Sequence, residues 1–183
     1  MAASDQHPRR EAPSSRGAAS LSGPELTDRL DEEIARAERH STGLSCLLVV
    51  VENLEAMARE HGTELGEQML TYITSALSPA LRRFDRIGRP GEGELLILLP
   101  GAGAPQAEVV ARRVLERLRA VKLESGGERR PLSVSVGLAA WAETASAEDL
   151  FARARRAVAR GNGNGGNGDL ADHEYLDRSP ARR

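Results

Sequence analysis

The sequence predicts an α/β sandwich, a central mixed antiparallel sheet flanked by helices. Three observations carry this. Residues 44–51, "LSCLLVVV", are a continuous valine-rich apolar run of strand length, as in a strand covered on both faces. Residues 131–139, "PLSVSVGLA", alternate Leu132, Val134, Val136 and Leu138 with small or polar residues, the period of a strand. Between and around them, apolar residues recur at helical spacing in several separate segments. Helices interleaved with strands that include a hairpin require layers of both kinds around one core.

Taken in order, "PELTDRLDEEIARAERH" places Leu26, Leu30, Ile34 and Ala37 on one helical face, with Pro24 near the start. The strand 44–51 follows. Helical pattern then covers about 53–82, interrupted near His61-Gly62, and its later part presents Leu65, Met69, Tyr72, Ile73, Ala76 and Leu77 on one side. The stretches 84–90 and 94–99 flank a turn at Gly91–Gly93 and read as a β-hairpin. A helix over about 105–121 carries Val110, Val114, Leu118 and Val121 on its inner face. After the strand at 131–139 comes a basic helix at 147–160, with Leu150, Ala154, Ala157 and Val158 inward. No internal repeat occurs. Residues 1–23 and 169–183 are poor in large apolar side chains and are expected to be disordered tails around a domain at 24–168. The low-complexity run "GNGNGGNG" (161–168) closes that domain.

With 183 residues the chain suits one domain and its tails. A formal charge of −2 offers no whole-chain electrostatic case for nucleic acid or membrane as a partner. Lys122 is the only lysine among 25 basic residues, which leaves 24 arginines. A coding bias accounts for that, yet arginine's planar fork suits phosphates and guanine edges. Cys46 stands alone in an apolar run, which excludes a disulfide framework or zinc cluster and reads as a buried, inert thiol. No segment approaches the length of an apolar membrane span, and the polar N-terminus is unlike a signal peptide; the expected location is cytoplasmic. His7, His40, His61 and His173 lack metal-ligand spacing, and Trp141 reads as packing at a strand end.

Several motifs resemble the GGDEF family, the diguanylate cyclase domain, over about Leu26 to Val158. "FDRIGRPGEGELLILLPG" is similar to the family's signature hairpin with its following strand and Leu-Pro turn. "ARRVLERLR" resembles the next helix, "LSVSVGLA" the strand "VTVSIGVA", and "EHGTELGEQML" the segment "YGHxxGDxxL". The resemblance implies a GGDEF/nucleotidyl-cyclase-like fold and chemistry that joins two GTP molecules into cyclic di-GMP.

Position by position, the resemblance implies different outcomes at two sites. The hairpin places Gly-Gly-Asp/Glu-Glu-Phe hold Gly91, Glu92, Gly93, Glu94 and Leu95 here. Glu92 stands where a glycine backbone approaches phosphates, and Gly93 where an acidic metal ligand belongs. The first-strand metal Asp falls on Val50, with Glu52, Leu54 and Glu55 following in the later places of that motif. The guanine-reading Asn falls on Ala58, its companion Asp on Glu67, and the phosphate-facing Lys near Asn162. The implied result is a chain that is not an enzyme, with no cofactor and no metal. Glu92 and Glu94 also read simply as solvated turn carboxylates, and Glu52, Glu55 and Glu67 as surface charges.

The family's inhibitory product site, Arg-x-x-Asp ending five residues before the hairpin, is matched by "RRFD": Arg82 and Asp85, with Arg113 in the place of a secondary arginine. The implied partner is cyclic di-GMP, and a ligand with two guanines suits a ligand-linked homodimer. Arginine pairs with guanine O6/N7 and with phosphate, and Asp accepts from guanine N1 and N2. Two plainer readings stay open. Arg82 and Asp85 are also spaced for an i,i+3 ion pair, and the fold also suits a ligand-independent docking or dimerisation module for an unknown protein partner, with the basic last helix as contact surface.

Overall fold

The computed structural model describes residues 20–125 and 128–163, with the side chains of 61, 123–131 and 161–163 left aside. The remaining stretches, which include most of the expected N-terminal tail, all of the expected C-terminal tail and the segment 164–168, lie outside the described residues. Twelve elements follow in chain order among them. They are α1 (Gly23–His40), β1 (Leu44–Val51), α2 (Leu54–His61), α3 (Thr63–Leu77), a 3-10 turn (Ser78–Ala80), β2 (Arg86–Gly88) and β3 (Glu94–Pro100). Then come α4 (Ala104–Ala120), β4 (Lys122–Ser125), β5 (Glu128–Pro131), β6 (Val134–Ala140) and α5 (Ala147–Gly163).

Four strands form the central sheet in the order β2-β3-β1-β6, every neighbouring pair antiparallel. The mixed direction expected from sequence enters only at an isolated parallel bridge of Leu21 to Gly88. There Leu21 N–H donates to Ile87 O and Arg89 N–H to Leu21 O, both at 2.9 Å, so the chain joins the β2 edge before α1 begins.

Strand alternation sends side chains to two opposite cores. Leu47, Val49 and Val51 of β1 join Leu95, Ile97 and Leu99 of β3 and Val134, Val136 and Leu138 of β6 beneath α3 and α4. Cys46 and Leu48, with Leu96 and Leu98, face α1 and α5 through Leu30, Ile34, Leu150 and Ala154. This double cover is why β1 reads as an unbroken apolar run rather than an alternating one. Burial pushes the Cys46 thiol up to about 12, so it stays protonated and inert. Close approach at Gly137 lets α5 settle onto β6: a Cβ there would run into Ala154 O and the Val158 side chain.

Helix ends follow local chemistry. At α1 the Glu25 carboxylate accepts from Ser22 N–H and Oγ, at 2.9 and 2.7 Å; at α5 Asp149 does the same for Ser146, whose Oγ in turn accepts from Asp149 N–H. Gly62 separates α2 from α3 at φ 96°, where the interruption at His61-Gly62 was expected. The small β4–β5 hairpin was not anticipated. It takes Pro131 away from the strand expected at 131–139, which starts instead at Val134.

Candidate functional site

Two neighbouring segments hold most of the binding and hairpin residues singled out from the sequence: the glycine turn between β2 and β3, and the turn that precedes β2; Arg113 lies on α4.

The glycine turn is built by backbone bonds. Glu94 N–H donates to Gly91 O at 3.3 Å, and Val51 N–H reaches across from β1 to Gly93 O at 2.8 Å. Gly93 sits at φ 69°, and a Cβ there would stand 3.3 Å from Val51 O, so this place favours glycine by conformation. Glu92 is exposed, while Leu95 is completely buried at the start of β3. Register sets Val50 opposite both Glu94 and Ser135. The Glu94 carboxylate is not free: Arg155 Nη2 of α5 donates to its Oε2 at 2.7 Å. The Arg155 guanidinium also lies 4.5 Å over the Phe151 ring, which holds it in place.

Glu52, just past β1, is likewise engaged, with Ser135 Oγ donating to its Oε1 at 2.6 Å and Ser133 Oγ to its Oε2 at 3.3 Å. Glu67 on α3 accepts from Arg89 Nη1 at 2.6 Å, and Arg89 Nη2 donates to Thr71 Oγ1 at 3.1 Å. Val50 is apolar and Gly93 has no side chain. Among the described residues no three His, Cys, Asp or Glu side chains gather as a metal donor set. At the two places where the resemblance implies metal carboxylates, Val50 and Gly93, the chain offers no side-chain oxygen. The implied phosphate-facing place at Asn162 lies among the side chains left aside.

The second turn is pinned from three directions. Asp85 N–H donates to Arg82 O at 3.1 Å, closing a turn over Arg82–Asp85. Arg82 N–H donates back to Asp85 Oδ2 at 2.6 Å. Arg86 Nη1 donates to Arg83 O at 2.9 Å and to Asp85 O at 3.0 Å. Asp85 is only 6% exposed, and burial raises its carboxyl above the usual range, against the lowering effects of the Arg82 N–H, Arg82 and Arg86. Asp85 thus acts first on its own backbone, where the sequence suggested a guanine edge. Arg82, Arg83 and Phe84 are left facing outward, and Phe84 is 70% exposed.

Arg113 on α4 joins this turn: its Nη1 donates to Ala80 O at 3.5 Å, two residues ahead of Arg82. Arg82 and Asp85 thus share one turn, and Arg113 touches the backbone just ahead of it. The Arg82–Asp85 contact is to the arginine's backbone N–H, rather than the side-chain ion pair that their spacing allows.

Sequence reasoning missed Arg86 and Phe84, and read Arg155 only as part of the basic face of the last helix, without its pairing to Glu94. Arg86 and Phe84 carried a local signal, since they interleave with the suspected residues. Arg155 carried none, because its partner is 61 residues away and only the packing of α5 on the sheet brings them together.

Comparison with known proteins gives a family and a fold. The family model "Diguanylate cyclase, GGDEF domain" matches residues 25–168. The diguanylate cyclase DgcP of Pseudomonas aeruginosa is 30% identical over 139 residues, 74% of this chain and 20% of that protein. Diguanylate cyclase DosC of Escherichia coli K12 is 32% identical over 108 residues, 58% of this chain and 24% of that protein. The chain thus spans about a fifth to a quarter of the length of these curated relatives.

Among solved structures, diguanylate cyclase SiaD of Pseudomonas aeruginosa, in complex with its activator SiaC, is 27% identical with a TM-score of 0.73. That match covers 79% of this chain and 55% of SiaD. The GGDEF domain of Caulobacter crescentus DgcB, in complex with c-di-GMP, superposes at a TM-score of 0.74 over 88% of this chain and 96% of that one. Its 20% identity speaks to the fold alone.

These matches correct one expectation. The sequence reading took the chain not to be an enzyme, yet the relatives it matches are named as diguanylate cyclases. Counting motif places locates residues along strands, whereas an activity belongs to an assembled site. The end of the sheet still holds Glu52 and Glu94, both in hydrogen-bonded positions.

Proposed function

Because the chain belongs to the diguanylate cyclase GGDEF domain family, we propose that it binds cyclic di-GMP at the turn before the glycine hairpin. Arg82 and Arg113 supply the direct contacts, and Asp85 positions the first of them. One observation carries the reading: Arg113, 31 positions beyond Arg82 in sequence, is hydrogen-bonded at Ala80 O beside that turn. Two guanidinium groups from separate elements then flank one exposed surface, where they pair with phosphate and with the O6/N7 edge of guanine. Asp85 has its Oδ2 on the Arg82 N–H, so its contribution is to hold the turn in the binding geometry.

Isothermal titration of the protein with cyclic di-GMP tests this. Saturable heat is expected in the wild type, weakened in both Arg82→Ala and Arg113→Ala. No heat in the wild type, or wild-type affinity in both variants, removes the proposal. A ligand with two guanines bridges two copies in this reading, so sedimentation with and without cyclic di-GMP should show a ligand-dependent rise in mass.

A further inference from the structure

The turn that presents Arg82 also presents an aromatic ring with no structural employment. Among the described residues Phe84 is the most exposed of the large apolar side chains, ahead of Val109 and Tyr72 at 56% and 55%. Leaving it in water costs hydrophobic free energy that any interior position would recover. The contrast with the chain's other phenylalanine is informative. Phe151 is partly buried against the α1/α5 core, and its face carries the Arg155 guanidinium at 4.5 Å.

The exposure of Phe84 is not the looseness of a free loop. Its backbone lies inside the closed turn, with Asp85 N–H on Arg82 O and Arg82 N–H on Asp85 Oδ2. Arg86 anchors the carbonyls on both sides of Phe84, those of Arg83 and Asp85. A ring on so constrained a backbone loses little further freedom when a partner settles on it. Its neighbours are cationic, with Arg82 and Arg83 on the same turn and Arg113 behind it at Ala80.

A rigid aromatic face beside several guanidinium groups fits one ligand chemistry well: a planar purine joined to phosphate, the base stacking and the phosphate paired. Asp85 sharpens the assignment. Its carboxylate is buried in its own turn, so base recognition through that carboxylate is curtailed and a contact with the base's face gains importance.

We infer that Phe84 is a stacking platform for a guanine base of cyclic di-GMP, and a ligand-binding residue in its own right. This rests on the binding reading proposed above and adds to it a contact to the base's face. Titrating cyclic di-GMP into wild type, Phe84→Ala, Phe84→Leu and Phe84→Trp separates the two. Phe84→Ala and Phe84→Leu are expected to weaken binding by roughly five- to 150-fold, the range found for losing one base–aromatic stack. Leucine keeps the apolar bulk but has no π face. Phe84→Trp should retain wild-type affinity, and the emission of its new indole should be quenched on ligand addition, beyond any change from the native Trp141 in the wild type. The exposed ring contributes nothing to the core, so all three variants should keep the wild-type unfolding midpoint. Wild-type binding with unchanged affinity in the alanine and leucine variants overturns the stacking inference and leaves the arginine site standing. Absence of wild-type binding removes both.

Discussion

The two turns that bracket β2 lie a few residues apart and manage their charges in opposite ways. In the glycine turn the side chain closes the site: Glu94 is tied to Arg155 of α5, and the backbone bends through Gly93 at φ 69°. In the Arg82–Asp85 turn the backbone is what is tied, by the Asp85 and Arg86 side chains, and the side chains of Arg82, Arg83 and Phe84 project outward. The difference separates ligand readiness from charge content. A carboxylate already paired within the fold must break that pairing to serve a ligand, whereas an outward cation on a fixed turn offers its pairing capacity without reorganisation.

The sharpest way to break the comparison is to remove one charge from each turn and follow cyclic di-GMP binding by titration. Arg82→Ala should cost ~1–3 kcal/mol, roughly five- to 150-fold in Kd, as expected for losing a bidentate guanine or phosphate pair. Glu94→Gln should leave that affinity unchanged. Equal losses in the two would mean that the turns act as one site.

Stability probes the two turns next. Gly93→Ala places a Cβ at positive φ against Val51 O, and an expected loss of ~1–2 kcal/mol should appear as a lower urea midpoint. Asp85→Ala strips the acceptor from Arg82 N–H and should lose ~1 kcal/mol, with Asp85→Asn recovering most of it through its amide oxygen.

The pH dependence of Asp85 has a definite sign. Burial raises its folded pKa, so the native state holds this proton more tightly than the unfolded chain does. Its contribution to stability is therefore full below the ordinary carboxylate range and declines as pH rises through the folded value. Wild type measured against Asp85→Asn from acid to neutral pH should lose ground over that window and run parallel above it. A difference that moves the other way would mean that the Arg82 and Arg86 charges outweigh desolvation.

The smallest effect belongs to the other turn. Arg155 is about half exposed, so breaking its pair through Glu94→Gln should cost under ~1 kcal/mol and matter less in high salt, as thermal denaturation at two ionic strengths would read.

Much of this was legible in the chain itself. The apolar run 44–51 marks the strand buried on both faces, because only double cover tolerates large apolar side chains on successive positions, as at Leu47–Val51. The helices at α1, α3 and α4 follow from apolar spacing, and "RRFDRIGRPGEGEL" sets the register of Arg82 and Asp85 to the hairpin because both lie within one short local segment. Local covalent order is enough for such features. Tertiary structure alone decided the rest. Arg155 meets Glu94 because α5 lies close on β6 over Gly137, and Arg113 meets Ala80 because α4 packs beside the 3-10 turn. Whether a carboxylate faces a ligand or its own backbone was equally beyond the chain's order, since burial and hydrogen-bond partners arise only when distant segments pack together: Asp85 faces inward and Phe84 outward, although they are adjacent in sequence.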